Sequence, residues 1–321
     1  MTALAPSTLF GRVWKVRVAD LDLSALDVEF RLLRSLKPEP NRAMITLWNL
    51  NQEHRAYILK RYQPGGPNTK TVPVNAQIEA GYQGQTSVLF SGDLREVVQH
   101  RDNTDWKTIL TMDDGGAAVR ESRFPNGGMK FAKGTPVGQV LKQACTYLGI
   151  GLGNAAQFEA TAEITGASQQ NLPHGMTLSG NVYKELNRVC QSVGLNCSIQ
   201  AGVLQILPKG KALGTLDTAI VLSADTGLID SPEAAVDSTI SLGFAKTAKG
   251  TPATTPPVQH IKNTAIIKAK ALLIPGLVPG RMVLLDSVAF PKQPYVISQV
   301  EYNGQSFGND WYATMVLRYY G

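Results

Sequence analysis

Tyr295-Val-Ile-Ser-Gln-Val-Glu-Tyr-Asn-Gly-Gln-Ser-Phe-Gly-Asn-Asp310-Trp311-Tyr-Ala-Thr-Met-Val-Leu317 is an apolar alternation that enters a polar turn, reaches an Asp-Trp pair and leaves as a second alternating run. That is the pattern of a β-hairpin. The same phrase occurs earlier as Ser91-Gly-Asp-Leu-Arg-Glu-Val-Val-Gln-His-Arg-Asp-Asn-Thr-Asp105-Trp106-Lys-Thr-Ile-Leu-Thr-Met112. A Val-Pro step precedes each pair at nearly the same distance: Val72-Pro73 lies 33 positions before Asp105 (105 less 72), and Val278-Pro279 lies 32 before Asp310 (310 less 278). Self-similarity at a fixed offset marks architecture, so the chain reads as an internally duplicated β protein. Asp105, Trp106, Asp310 and Trp311 are the expected hairpin core of the two copies. The tryptophans are expected to be buried at equivalent positions and the aspartates to hydrogen-bond at the turns.

Working outward, residues 12–50 alternate with period two in Arg12-Val-Trp-Lys-Val-Arg-Val18, Leu26-Asp-Val-Glu-Phe-Arg-Leu32 and Ala43-Met-Ile-Thr-Leu-Trp-Asn-Leu50, which predicts strands with one buried face. A helix is expected over 51–62 with Asn51 as its cap, then strands at 74–82, 86–98 and 105–112. Asp113-Asp-Gly-Gly116 is a turn cluster and the first expected boundary. Beyond it the period changes. Thr135-Pro136 reads as a cap and first-turn proline before Val137, Val140, Leu141, Ala144, Cys145 and Leu148, with Gly149 closing the helix. A second helix is expected from about Ser179 to Gly194, followed by a hairpin turning at Ala201-Gly202. Strand-like runs return after 213, interrupted by a Thr/Pro/Lys/Gly-rich stretch at 245–260 that reads as a mobile loop. The expected fold is therefore β-rich α+β. Two related small β-barrel-like domains, 1–115 and 213–321, flank an α/β middle domain at 116–212.

At 321 residues, with 43% hydrophobic and 17% charged side chains, the chain is globular and long enough for two or three cores. Its net charge of +6 invites a nucleic-acid reading. Counted by segment, 1–115 carries 14 basic and 13 acidic residues, 116–213 carries 9 and 4, and 214–321 carries 8 and 8. The excess is thin and confined to the middle, without the concentrated basic footprint that tight nucleic-acid binding needs. The three cysteines, Cys145, Cys190 and Cys197, have neither disulfide nor zinc spacing and are expected as buried thiols. The N-terminus has no signal-peptide pattern and no stretch reaches transmembrane length, so synthesis in a reducing cytoplasm and no stable membrane association are expected.

The chemistry of catalysis is sparse. The sequence has no Gly-x-Ser-x-Gly elbow, no phosphate-loop motif and no His-Glu-x-x-His helix. Gly149-Ile-Gly-Leu-Gly-Asn154 follows a helix instead of a strand, so it reads as a helix cap. His54, His100, His174 and His260 lie apart in polar contexts. Asp20 and Asp22 are expected to share a strand face, and Asp113-Asp114 to form a turn without the ladder of a calcium loop. No catalytic, cofactor-binding or metal residue is assigned, and the chain is expected not to be an enzyme.

Pro275-Gly-Leu-Val-Pro-Gly-Arg-Met-Val-Leu-Leu-Asp286, Tyr295 to Tyr302 and Gly308-Asn-Asp-Trp311 together resemble the C-terminal tube domain of phage baseplate hub proteins. Ile45-Thr-Leu-Trp-Asn-Leu50 and Phe90-Ser-Gly-Asp-Leu94 are similar to the first tube domain, and Gly227-Leu-Ile-Asp-Ser-Pro-Glu233 sits in the corresponding place of the second. The resemblance spans nearly the whole chain, although each motif is short. It implies a homotrimer whose two tube domains per chain form a pseudo-sixfold ring, joining a hexameric tail tube to a threefold central spike. It further implies a virion location in the tail baseplate after assembly in the host cytoplasm. The partners it implies are tail tube proteins, spike, wedge or other baseplate proteins and the tape-measure protein, with DNA only in transit. The alternatives are another structural component of a phage tail or contractile injection system, or a nucleic-acid-binding module.

Overall fold

The computed structural model describes residues 9–62, 73–151, 153, 171–243 and 258–320. Most of its strands belong to one 13-stranded sheet. The N-terminal part supplies β1 (Arg12–Val18), β2 (Leu21–Asp22), β3 (Val28–Ser35), β4 (Arg42–Trp48), helix α1 (Gln52–Arg61), β5 (Asn75–Tyr82), β6 (Gln85–Asp102) and β7 (Asp105–Asp113). The middle part runs through α2 (Gly116–Glu121), β8 (Met129–Phe131), α3 (Val137–Leu148), β9 (Met176–Leu178), α4 (Val182–Ser192), β10 (Leu195–Gln200) and β11 (Val203–Pro208). The C-terminal part adds β12 (Ile220–Leu222), β13 (Leu228–Gly243), β14 (Val258–Leu272), β15 (Met282–Leu285), β16 (Gln293–Gln305) and β17 (Trp311–Tyr319).

The alternation in the sequence becomes alternation of burial. Val28, Phe30 and Leu32 of β3, Ala43, Ile45 and Leu47 of β4, and Trp311, Ala313, Met315 and Leu317 of β17 all face one core. Asn51 caps α1 as expected, its Oδ1 accepting the His54 N–H at 2.7 Å. In the middle part the caps are displaced by a few residues from the sequence reading. Pro136 is itself the cap of α3, and α4 begins at Val182 behind Asn181, whose Oδ1 accepts the Lys184 N–H at 2.9 Å. Ala201-Gly202 does turn the β10–β11 hairpin, with φ of 53° and 79°. Asp20 departs from expectation. It sits in the turn after β1 and not on a strand, held by Tyr57 Oη at 3.0 Å and Arg61 Nη2 at 3.2 Å. The 245–260 loop lies outside the described residues up to 257, and 258–260 belong to β14.

Buried apolar residues form two principal clusters. One draws on residues from Val16 to Met112 and from Ile220 to Leu317, so the N- and C-terminal β parts share a sheet and a core instead of standing as separate bodies. The second, from Phe124 to Ile206, packs α3 and α4 against β10 and β11 and contains the free thiols Cys190 and Cys197. Half-buried Cys145 lies against it, its thiol pushed up to about 12 by burial.

Between the two clusters lies a knot of buried polar groups. Arg34, only 4% exposed, donates from Nε to Gln200 Oε1 at 3.2 Å and from Nη1 to the Leu89 carbonyl at 3.0 Å. Gln200 Nε2 donates to the Ser35 carbonyl and Asn41 Nδ2 to the Ile199 carbonyl, both at 2.7 Å. Asp114 accepts the Ala201 and Gly202 N–H groups at 2.7 Å each. A turn cluster in the sequence is thus also the bolt that fixes the middle part to β3. Neighbouring Asp113 gathers Arg95 at 2.8 Å, Arg120 at 3.3 Å and Arg42 at 3.7 Å. Replacing Asp114 by Ala leaves two backbone donors without their charged acceptor and is expected to cost about 2–4 kcal/mol. Burial raises the Asp114 carboxyl above its ordinary 3.8, so the native state takes up its proton at a higher pH than the unfolded chain. The stability advantage of the wild type over Asp114→Ala should therefore widen as pH falls through the raised value toward 3.8, and be least near neutrality. Urea denaturation of both proteins at a series of pH values checks magnitude and sign.

Candidate functional site

The strand order contains the same unit twice. β3-β4-β7-β6-β5 and β13-β14-β17-β16-β15 are successive neighbours in the same sequence of pairings, the second unit being reached through the chain's later strands. The registers agree as well. Trp106 pairs with Arg101 across the first hairpin and Trp311 with Gly304 across the second, while Thr111 and Val316 face Glu96 and Gln299. Each hairpin also carries one register shift at a matching place, between Leu94 and Glu96 and between Ile297 and Gln299. Val72 lies outside the described residues.

The units meet at β3 and β16. Over Gln293–Val296 one edge of β16 takes β15, and beyond the bulge, from Gln299 to Gln305, the same edge takes β3. Gly304 sits opposite Phe30 there, and a Cβ on it would lie 2.2 Å from the Phe30 ring. That close approach lets Phe30 meet Trp311 edge-on at a centroid distance of 5.5 Å, with Trp14 at 6.4 Å on another side. Arg12 closes the end of the sheet: its guanidinium donates to the carbonyls of Gln305 at 3.2 Å, Gly308 at 2.6 Å and Asn309 at 3.1 Å.

The four residues of the expected hairpin core are thus placed in register, but their surroundings differ. Trp311 is 3% exposed, whereas Trp106 is 37% exposed. Both lie on the inner face of their strands, in line with Thr108 and Leu110 and with Ala313 and Met315. The expectation of two equally buried tryptophans does not hold, because the far edge of β16 beside Trp311 takes β3, whereas Glu96–Asp102 of β6 beside Trp106 pairs with β7 alone among the described residues. Trp106 is covered by the Arg55 guanidinium, 3.7 Å from the ring centroid. Asp105 bonds not within its own turn but across to Asn49 Nδ2 at 3.0 Å, and Asp310 enters its turn through its carbonyl, which accepts the Gln305 N–H at 2.8 Å. Asn49 is the residue that the reading of motifs left without a role. It adopts φ 55°, accepts the Trp106 N–H at Oδ1 (3.1 Å) and donates its own N–H to the Trp106 carbonyl (2.8 Å). Its sequence signal was an Asn directly after a strand, the residue type that tolerates a left-handed backbone.

The opposite face of the sheet is open to solvent and mixed in charge. Arg31, Lys107, Lys268, Lys270 and Arg318 alternate there with Glu29, Glu96, Glu233, Asp237 and Glu301. Several neutralise one another, as in Arg31–Glu301 at 2.7 Å and Arg318–Asp237 at 3.0 Å. Among the described residues, no group of three or more His, Cys, Asp or Glu side chains could hold a metal ion, and no helix is long and apolar enough to cross a membrane. Asp22 accepts from the Ser24 N–H and hydroxyl, which lower its pKa, and so spends its carboxylate on a local turn.

No family model and no curated protein matches the sequence. Solved structures do match. The 43 kDa tail protein of prophage MuSo2 from Shewanella oneidensis aligns with a TM-score of 0.61 at 9% identity, covering 96% of this chain and 98% of that one. The chain has the fold of that tail protein. A tail protein from Neisseria meningitidis MC58 aligns with a TM-score of 0.57 at 9% identity, covering 96% of each chain. The E. coli c3393 protein aligns at 0.55 and 10% identity over 96% of this chain and 77% of that one. It is a component of the type VI secretion system and exhibits structural similarity to the bacteriophage T4 tail proteins gp27 and gp5.

Two substitutions separate the copies energetically. Trp311→Ala opens a cavity in the shared core and should cost about 3–5 kcal/mol. Trp106→Ala removes a partly exposed ring and its cation–π contact, and should cost about 1 kcal/mol. Gly304→Ala should force Phe30 off the indole and cost about 1–3 kcal/mol. Equilibrium denaturation followed by tryptophan fluorescence for the last, and by circular dichroism for the first two, gives these values.

Proposed function

We propose that this chain is a structural hub protein of a phage tail, forming a trimeric, pseudo-sixfold ring that joins a hexameric tail tube to a threefold central spike and lines a channel for DNA. The single observation that carries the reading is the repeated five-strand unit within one continuous sheet, joined through β3 and β16. Two alike units in each of three chains give six quasi-equivalent positions, which is what adapting sixfold to threefold symmetry requires. Residues 1–115 and 213–321 are taken as the two tube domains, and 116–212 as a peripheral unit that meets tail neighbours. The open face of the sheet, with its charges interspersed and paired, suits a channel wall over which DNA and a tape-measure protein slide without being gripped. The partners are those of a tail baseplate, and assembly takes place in the host cytoplasm.

Light scattering at micromolar concentration, alone or with co-expressed spike, should give three times the 34.6 kDa chain mass. A single-chain mass under both conditions would sink the ring. Gel-shift titration should show weak, salt-sensitive and sequence-independent DNA binding at most, and sub-micromolar affinity at physiological salt would reassign the open face to nucleic-acid binding.

A further inference from the structure

The two β parts balance their charge and the middle part does not. Residues 1–115 carry 14 basic against 13 acidic side chains and 214–321 carry 8 against 8, whereas 116–213 carries 9 against 4. Of those 4 carboxylates, Glu159 and Glu163 lie outside the described residues, so the described middle part holds 9 basic groups and 2 acidic ones (4 less 2). Glu185 is held by Arg188 at 2.5 Å, which leaves Glu121. Like charges gathered in one unit repel one another and take stability from it, so the surplus answers no need of its own packing.

The fold brings part of the surplus together around the start of α4. Arg123 forms a backbone bridge with Asn181, and the Phe124 N–H donates to the Gly180 carbonyl at 2.9 Å, which seats the chain leaving α2 beside that helix end. Asn181 Nδ2 donates to the Val119 carbonyl at 2.7 Å and fixes the same contact from the other side. β8 runs antiparallel to β9 with Lys130 opposite Thr177, and β9 passes through Ser179, Gly180 and Asn181 straight into α4. Lys184 stands in the first turn of α4 and Arg188 one turn further along it. Arg123, Lys130, Lys184 and Arg188 are all exposed, and the positive end of the α4 dipole lies among them.

We propose that Arg123, Lys130, Lys184 and Arg188 form a face that docks an acidic segment of another tail protein. This rests on the reading of 116–212 as a peripheral unit, outside the channel, where the neighbour is protein and not DNA. Tyr147 is the one exposed large hydrophobic residue of the described middle part. The face therefore lacks the row of aromatic rings on which single-stranded nucleic acid stacks, and the apolar stripe by which a helix enters a membrane surface. Charge is what it offers, and carboxylates are the complement. Lys184 and Arg188 are separated by about 6 Å along the helix, close to the spacing of about 6.8 Å between alternate side chains of an extended chain. An extended segment with Asp or Glu at alternate positions can thus address both. Exposed charges of this kind speed encounter and set orientation more than they add affinity, so the contact is salt-sensitive.

The test is titration of the full chain with a fluorescein-labelled poly-glutamate peptide, followed by anisotropy. The peptide should bind at low salt and weaken at least ten-fold at physiological salt. Lys130→Glu with Lys184→Glu should weaken binding at least ten-fold, whereas Lys60→Glu with Lys292→Glu, an equal charge reversal on the β parts, should change it less than two-fold. All four positions are exposed, and an unchanged melting temperature verifies both folds. On the unsubstituted chain, bound peptide should protect Lys130 and Lys184 from acetylation and leave Lys60 and Lys292 reactive. Absence of peptide binding overturns the acidic-partner assignment, and equal loss in the two variants or equal protection of the four lysines overturns the face. A single-stranded oligonucleotide of the same charge should bind no more tightly than the peptide, and ten-fold tighter binding would reassign the face to nucleic acid. Light scattering reads the ring separately: a three-chain mass without peptide binding removes the face alone, and a single-chain mass with face-specific binding removes the ring alone.

Discussion

One edge of one strand organises this molecule. β16 is paired with β17 from Tyr295 to Gly304, while its other edge is divided at the bulge between Ile297 and Gln299. A bulge tilts the strand and lets it change partners without leaving unpaired backbone groups in the interior. Because β3 takes the lower half of that edge, the N-terminal strands are drawn into the C-terminal sheet. Phe30 is thereby set against Trp311, and Arg12 is brought within reach of the three carbonyls of the final turn. The middle part is placed by the same strand, since Arg34 and Ser35 at the end of β3 are the groups that Gln200 engages.

The two copies have diverged where their neighbours differ. At the position of Gly304 in the second unit, which must admit the Phe30 ring, the first has Arg101. Where the second indole is enclosed by Phe30 and Trp14, the first stacks on Arg55 from α1, and a short connection stands in place of that helix between β14 and β15. A pair of units of which only one has β3 laid along its hairpin is under unequal constraint. The enclosed member keeps small and aromatic residues, and the open one keeps polar groups.

The hairpins, the caps at Asn51 and Gly149 and the turn at Ala201-Gly202 were legible in the sequence because each rests on local chemistry: alternation, an oxygen side chain before a helix, or a backbone with positive φ. The duplication was legible because Asp-Trp recurs at a fixed offset. The merging of the two units into one sheet was not, since nothing in the residues 28–35 announces a partner at 299–305. Trp106 illustrates the same limit. Its strand face could be read from alternation, but its exposure depends on whether another strand lies along the far edge of β6. Asp114 read as a turn residue, and only the fold brings it to the Ala201 and Gly202 N–H groups.

The span between β3 and β16 has a consequence for the birth of the protein. β3 leaves the ribosome well before its partner Gln299–Gln305 is made. At about 5–20 residues per second, the interval is on the order of tens of seconds. Throughout it, β3 presents a bare edge beside the apolar face of Phe30 and Leu32, the kind of surface that captures other nascent strands. The longer that edge waits, the longer the chain is open to wrong pairing, whatever the final stability of the sheet. A longer wait for that hairpin should therefore favour aggregation of a chain whose completed fold is sound.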